Sequence, residues 1–278
     1  MESKIIVYKG TGGLFHNLSG VVKSIDIAIE NNYFLIIDMK KHSVFGGTFS
    51  DFFVINNETL RYSDNYEDYE DYEKCKVLSD IKEKGALALG YKAPGYKRKY
   101  DLNSTKINIF YGYIEVSAEN RSFKHINVCE PIFNRIKDEN KIDKRYLSLH
   151  FRNTDIKNDN KLFIKNIKKA LSDFKIDTIY VASDDSQFYI QIFEEFKDVN
   201  IIQKTFPNKN ISNLHYTHPD KYKQQYECLQ DVYNILNSEV FIPSINSSMS
   251  RSIIHMIKNN YSIFPGLIPR AKIIKSLN

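Results

Sequence analysis

Cysteine is scarce in this 278-residue sequence: Cys75, Cys129 and Cys228 are odd in number, far apart and form no C-x-x-C pair. That argues against a disulfide framework and against a zinc site, and fits a reducing compartment. No apolar run approaches the ~20 residues that a membrane helix needs. The opening MESKIIVYKG holds an apolar stretch only as long as a strand, so no secretory leader is expected there and the expected location is cytoplasmic. Arginine is also rare, 8 residues against 31 lysines. Each arginine is therefore informative, because its planar fork suits bidentate phosphate recognition.

What is present fits a globular protein. Hydrophobic residues make up 42%, aromatic residues 13% and charged residues 26%. This composition supplies a sizeable core and excludes a disordered, collagen-like or coiled-coil chain. The length suits two domains or one large α/β domain. The net charge of +5 is mild, and it comes with abundant Lys, Asn, Ile and Tyr, the signature of an AT-rich coding sequence. No nucleic-acid partner is expected, since such proteins concentrate their charge on one face.

The hydrophobic pattern alternates between strand and helix periods. Lys4–Lys9 reads as a buried strand, Gly10–Gly13 as a tight turn, Leu14–Asn31 as a helix and Tyr33–Asp38 as a second strand. This β-turn-α-β opening predicts a parallel sheet. From Leu60 to Tyr100 the pattern fades into the acidic, tyrosine-rich Tyr62–Glu73 and the basic Lys92–Lys99. Both read as solvated surface, and an acceptor-binding loop is the sharper alternative. The second half resumes with strands over Arg145–Arg152, Asp177–Ser183, Val199–Lys204 and Glu239–Pro243. Helices are predicted over Lys161–Phe174, Ser186–Lys197, Lys221–Leu236 and Ser248–Asn259. The charged stretch Ile136–Lys144 is the expected linker, dividing the chain into domains 1–140 and 141–278.

In open α/β sheets, ligands bind beyond the carboxyl ends of the strands. Four polar segments qualify: GTGG at 10–13, HFRNTD at 150–155, ASDD at 182–185 and NSSMSR at 246–251. Gly12 and Gly13 would let a ligand approach the start of a helix, or would simply form a turn. His150 and Arg152 share one face of a strand by its period of two. Arg152 suits a diphosphate, and Asp155 could orient its guanidinium or form a structural ion pair. Asp184 and Asp185 are candidates for acid/base work or for a helix cap. Asn246, Ser247, Ser248 and Ser250 open a helix, where hydroxyls and free N–H groups make an anion cradle or a plain cap. No cluster of His, Cys or carboxylates has metal-ligand spacing, so no metal is expected.

Taken in order, these segments resemble the fucosyltransferase superfamily, the group of α-1,6, nodulation, α-1,2 and protein O-fucosyltransferases. The matching residues are the Gly-rich start with Gly12, Gly13 and Asn17; the His-x-Arg-x-x-Asp of His150, Arg152 and Asp155; and Ala182-Ser183-Asp184-Asp185. The last motif is Asp231 followed by EVFIPS and Ser247-Ser248 with Arg251. The resemblance implies a GT-B-like pair of Rossmann-type domains, with GDP-fucose held mainly by the second and the acceptor on the side of the first. It implies that Arg152 holds the β-phosphate and helps GDP leave. His150 would lie near the nucleotide, Asp231 would contact it, and Ser247 and Ser248 would bind phosphates. No metal or other cofactor is implied, since Arg and helix N-termini neutralise the departing charge.

Two positions depart from the α-1,6 and nodulation pattern. Asn153 stands where a second Arg is found, and Asn160 stands where an acidic residue follows, with Asp159 one place earlier. Asp159 is the first candidate for the catalytic base, with Asp155 and Asp38 as competitors. The expected activity is inverting transfer of L-fucose from GDP-β-L-fucose to a glycan or protein hydroxyl, by a short soluble enzyme of bacterial or viral type. A transferase using another nucleotide sugar, and an inactive nucleotide- or carbohydrate-binding relative, are the alternatives.

Overall fold

The computed structural model describes residues 5–9, 13–39, 45–64, 107–111, 123–153, 158–204 and 218–274. Among them the chain divides into two compact units, Met1–Cys129 and Glu130–Asn278.

The first unit begins with strand β1 (Ile5–Lys9), helix α1 (Leu14–Asn31) and strand β2 (Phe34–Asp38). Strands β3 (Phe53–Ile55), β4 (Tyr62–Ser63), β5 (Ile107–Tyr111) and β6 (Ile126–Val128) follow. The order β4-β2-β1-β5 makes one sheet in which every pairing is parallel, and β3 pairs antiparallel with β6 apart from it. Helix α1 forms because Leu14, Leu18, Val21, Val22, Ile25 and Ala28 recur at helical spacing, and all six are buried. It ends at Asn32, which takes the left-handed conformation at φ 52° that Asn tolerates better than most residues. Gly20 lets the helix approach β1 closely, since a Cβ there would overlap the buried Tyr8 ring.

The second unit opens with helix α2 (Glu130–Glu139) and strand β7 (Leu147–Phe151). It continues with α3 (Asn160–Phe174), β8 (Thr178–Ser183), α4 (Ser186–Glu195) and β9 (Asn200–Ile202). Helix α5 (Lys221–Asn237), β10 (Val240–Ile242), α6 (Ser248–Lys258) and β11 (Lys272–Ile273) complete it. All pairings in the sheet β11-β10-β7-β8-β9 are parallel. Each unit is thus a Rossmann-like α/β layer, as the alternating pattern predicts.

Strand β7 is central and buried on both faces, and its period of two sorts its partners. Leu147, Leu149 and Phe151 join Phe163 and Ile167 of α3 and Phe188 and Ile192 of α4 in one core cluster. Phe151 stacks on Phe188 with ring centroids 3.7 Å apart, and Phe163 meets Phe151 edge-on at 4.9 Å. Burying each such ring contributes about 1.5–3 kcal/mol. The alternate residues face the other way. Tyr146 Oη donates to the Asn234 carbonyl at 2.6 Å, Ser148 meets Ser238 at 2.7 Å and His150 meets Ser250 at 2.7 Å.

The charged stretch expected to be a linker begins inside α2. This helix buries only Ile132 and Ile136, and it is fixed to α5 by polar contacts instead. The Glu139 carboxylate accepts from Arg135 at 2.8 Å, Tyr226 at 2.7 Å and Gln230 at 2.9 Å. The bonds from Arg135 and Tyr226 hold its pKa below the usual carboxylate range. Among the described residues, no helix is long and apolar enough to cross a membrane.

Candidate active site

The register of the second sheet aligns three strand ends. Phe151 pairs with Ser183, and Ile242 pairs with Leu149, so the segments leaving β7, β8 and β10 emerge at the same carboxyl edge. Arg152 and Asn153 follow β7, Asp184 and Asp185 follow β8, and residues 243–250 lead into α6.

Arg152 sits at the centre of these segments. Its Nε lies 3.9 Å from Asp184 Oδ2, and the two side chains are only 15% and 14% exposed. Its backbone N–H donates to Ser244 Oγ at 3.4 Å. Asn158 Nδ2 donates both to the Arg152 carbonyl and, at 2.9 Å, to the same Ser244 Oγ. Asp184 Oδ1 accepts from the Asn153 N–H at 2.9 Å, and Asn153 Nδ2 donates to Asp185 Oδ2 at 2.8 Å. The neighbouring aspartates therefore divide their tasks. Asp185 caps α4 through Oδ1, accepting from the Gln187 and Phe188 N–H groups, and takes the Asn153 side chain on Oδ2, while Asp184 meets the Arg152 side chain and the Asn153 backbone.

His150 and Ser250 extend the network beneath. The His150 ring nitrogen Nδ1 lies 2.7 Å from Ser250 Oγ, which accepts from the Ser244 N–H at 3.1 Å. Ser247 is the N-cap residue of α6 and its side chain makes no capping bond. With Ser248 it leaves the first-turn N–H groups of that helix as ready donors to an anion.

Asp231 lies on α5, one turn beyond Glu227. Burial pushes its carboxyl up to about 7, against the hydrogen bond from Tyr180 Oη at 2.7 Å, and the Glu227 charge adds to the rise. Cys228 belongs to the same neighbourhood. Burial and the Asp231 charge push its thiol up, and the Arg152 charge opposes them.

The other candidates are placed differently. Asp159 is exposed and caps α3, its side chain accepting from Lys161 N at 2.9 Å and Leu162 N at 3.1 Å. Gly13 is the N-cap of α1 in extended backbone, and Asn17 is fully buried in the first unit, where Tyr8 Oη donates to its Oδ1 at 3.3 Å. Asp38 is buried at the end of β2. Gly12, Asp155, most of Tyr62–Glu73 and all of Lys92–Lys99 lie outside the described residues. Among the described residues, no group of three or more His, Cys, Asp or Glu could hold a metal ion.

Two contributors to this constellation carry no sequence signal, Asn158 and Tyr180, and Ser244 is marked only as the last residue of EVFIPS, with no task read from it. Asn158 and Ser244 are short polar residues in loops and meet only through the fold. Tyr180 is hidden inside an apolar strand, where its hydroxyl cannot be read as functional.

A groove of about 540 Å³ lies at the opposite, amino-terminal edge of the same sheet, lined by Lys137, Lys141, Arg145, Tyr146, Asn237 and Arg270 among others. Its basic side chains stand where α2 and α5 end. Cations there complement the carbonyl ends of the helices, and no candidate site residue lines it.

No protein-family model matches the sequence, and no curated protein matches it. Solved structures do match. The chain is similar to NodZ α-1,6-fucosyltransferase soaked with GDP-fucose, at 14% identity and TM-score 0.55, covering 91% of this chain and 92% of that one. Fucosyltransferase NodZ from Bradyrhizobium matches at 13% identity and TM-score 0.56, with the same coverage. POFUT1 in complex with GDP matches at 10% identity and TM-score 0.60, covering 99% of each chain. The chain thus has a fucosyltransferase-like fold of the GT-B class.

Proposed function

We propose that this protein is an inverting glycosyltransferase that moves L-fucose from GDP-β-L-fucose to a hydroxyl of a glycan or protein. The observation that carries the reading is Arg152, the arginine fixed at the carboxyl edge of the second sheet between Asp184 and the loop that starts α6. The likeness in fold to structures holding GDP or GDP-fucose supports the choice of donor.

In this reading the second unit holds the donor. Arg152 and the N–H groups at the start of α6, beside Ser247 and Ser248, bind the diphosphate. Asp231 and His150 lie toward the nucleoside. The acceptor oxygen attacks C1 of fucose as the bond from C1 to the phosphate oxygen breaks. The β-phosphate takes the electron pair, and Arg152 with the helix terminus stabilises the departing charge without reorganisation. The acceptor proton passes to a carboxylate, for which Asp159 is the first candidate, with Asp38 and Asp155 as competitors. The first unit supplies the acceptor side.

A thermal-shift series with GDP, UDP and CMP, followed by turnover of GDP-fucose, tests this. A ligand that binds only the folded state raises stability by RT ln(1 + [L]/Kd). GDP is expected to stand out, and a shift by UDP or CMP alone would replace the donor. Binding of GDP with no transfer to any hydroxyl acceptor would favour an inactive nucleotide-binding relative, a reading that Asn153 in place of a second arginine supports.

A further inference from the structure

We propose that Asn158 is a positioning residue for Arg152, and that Asn158 and Ser244 form a clamp that sets where the guanidinium is presented. The inference rests on the reading of Arg152 as the donor-phosphate ligand.

A long side chain can aim its charge only as well as its own backbone is held. The Arg152 backbone lies just past the last residue of β7, beyond the ladder that fixes residues up to Phe151. Its two polar groups are taken up by one pair of side chains. The Arg152 N–H reaches Ser244 Oγ at 3.4 Å, and the Arg152 carbonyl accepts from Asn158 Nδ2. Asn158 Nδ2 also donates to Ser244 Oγ at 2.9 Å, which closes the arrangement on itself. Both partners are anchored in turn. The Asn158 N–H donates to Asn153 Oδ1 at 3.2 Å, and the Ser244 N–H donates to Ser250 Oγ at 3.1 Å, the atom that also meets His150.

The direct ion pair is weaker by comparison. At 3.9 Å it is outside hydrogen-bonding distance, so Asp184 pulls on the guanidinium without fixing its plane. The clamp ties the loops after β7 and β10 together at the backbone of the one residue whose position matters most. A displacement of about 1 Å in a group that stabilises developing charge is enough to cost about 10²-fold in rate.

The test compares affinity for GDP with affinity for GMP, which lacks the β-phosphate. Wild-type protein is expected to prefer GDP. Asn158→Ala is expected to reduce that preference about tenfold by weakening GDP binding, with GMP affinity unchanged. Ser244→Ala should do the same, Ser244→Thr should restore the preference by keeping the hydroxyl, and the double Ala variant should lose little more than either single one. A general loss of structure would weaken GDP and GMP together. If Asn158→Ala unfolds, the Ser244 pair still decides the matter. An unchanged ratio in folded Asn158→Ala or Ser244→Ala protein, or fully additive losses, would overturn the clamp. A wild-type protein that does not bind GDP at all would instead overturn the donor assignment itself.

Discussion

Asp184 holds Arg152 electrostatically and the next residue geometrically. Its Oδ2 stands 3.9 Å from Arg152 Nε, while its Oδ1 accepts the Asn153 N–H at 2.9 Å. The two functions separate by substitution. Asp184→Asn removes the charge but leaves an oxygen for the Asn153 N–H, whereas Asp184→Ala removes both and leaves a partly buried donor without its acceptor, the more costly change. We expect kcat for GDP-fucose turnover to fall about tenfold in the Asn variant and about 10²-fold in the Ala variant. Equal losses would show that only the charge matters.

Arg152 itself should tolerate no replacement. Lysine supplies a point charge but not the planar fork that grips two phosphate oxygens. Removing one preorganised donor typically costs about 10²–10³ in kcat. Arg152→Ala and Arg152→Lys should both fall in that range in steady-state kinetics, with unfolding transitions close to wild type. Wild-type turnover by a folded Arg152→Ala variant would move the phosphate site elsewhere.

The partly buried Asp231 makes stability depend on pH. Its carboxyl is pushed up to about 7 in the folded protein, above the ~3.9 of an unfolded chain. Between these values the native state binds the proton and the unfolded state has lost it. Stability from this group is therefore full below about pH 4 and declines as pH rises through about 7. Asp231→Asn keeps an acceptor for the Tyr180 hydroxyl and removes the buried charge. Its unfolding midpoint in urea should match wild type near pH 4 and exceed it at pH 8. A difference that does not grow with pH would mean the native carboxyl titrates normally.

Much of this architecture is legible in the sequence, and the exceptions have physical causes. Helices α1, α3 and α5 announce themselves because each buries a continuous apolar stripe, and β7 and β8 because both their faces are covered. Helix α2 reads as a linker because its sequence EPIFNRIKDE buries two isoleucines and relies on the Glu139 contacts, which come from α5 some 90 positions away. Strand β11 is two residues long and β3 three, too short for a period to show. Strand β5, the five-residue run INIFY, comes just after the Leu60–Tyr100 stretch in which the pattern fades, and is not anticipated. At the site, Arg152 and Asp184 are visible because they follow apolar strands in a protein short of arginine, and His150 because it is a polar residue near the end of one. The pairing of Asn158 with Ser244 is not, since it is a contact between residues 86 positions apart.

Charge neutralisation by Arg152 and the start of α6 leads to a prediction about metals. If these groups stabilise the departing diphosphate, transfer from GDP-fucose should continue at an undiminished rate in excess EDTA. Abolished turnover, recovered on adding Mn²⁺ or Mg²⁺, would assign the diphosphate to a cation.

Asp159 has an observed structural task and a proposed chemical one, and two substitutions distinguish them. Its side chain caps α3 through the Lys161 and Leu162 N–H groups. Asparagine is as good an N-cap as aspartate, while alanine in that position costs about 1 kcal/mol. Asp159→Asn should therefore keep the melting temperature, and Asp159→Ala should lower it by a few degrees. A carboxylate that accepts the acceptor's proton has no substitute in either variant, so both should lose at least about 10²-fold in kcat with GDP affinity kept. If Asp159→Asn turns over GDP-fucose at the wild-type rate, Asp159 is a helix cap alone. The base is then to be sought at Asp155 or at Asp38, whose buried carboxylate closes β2.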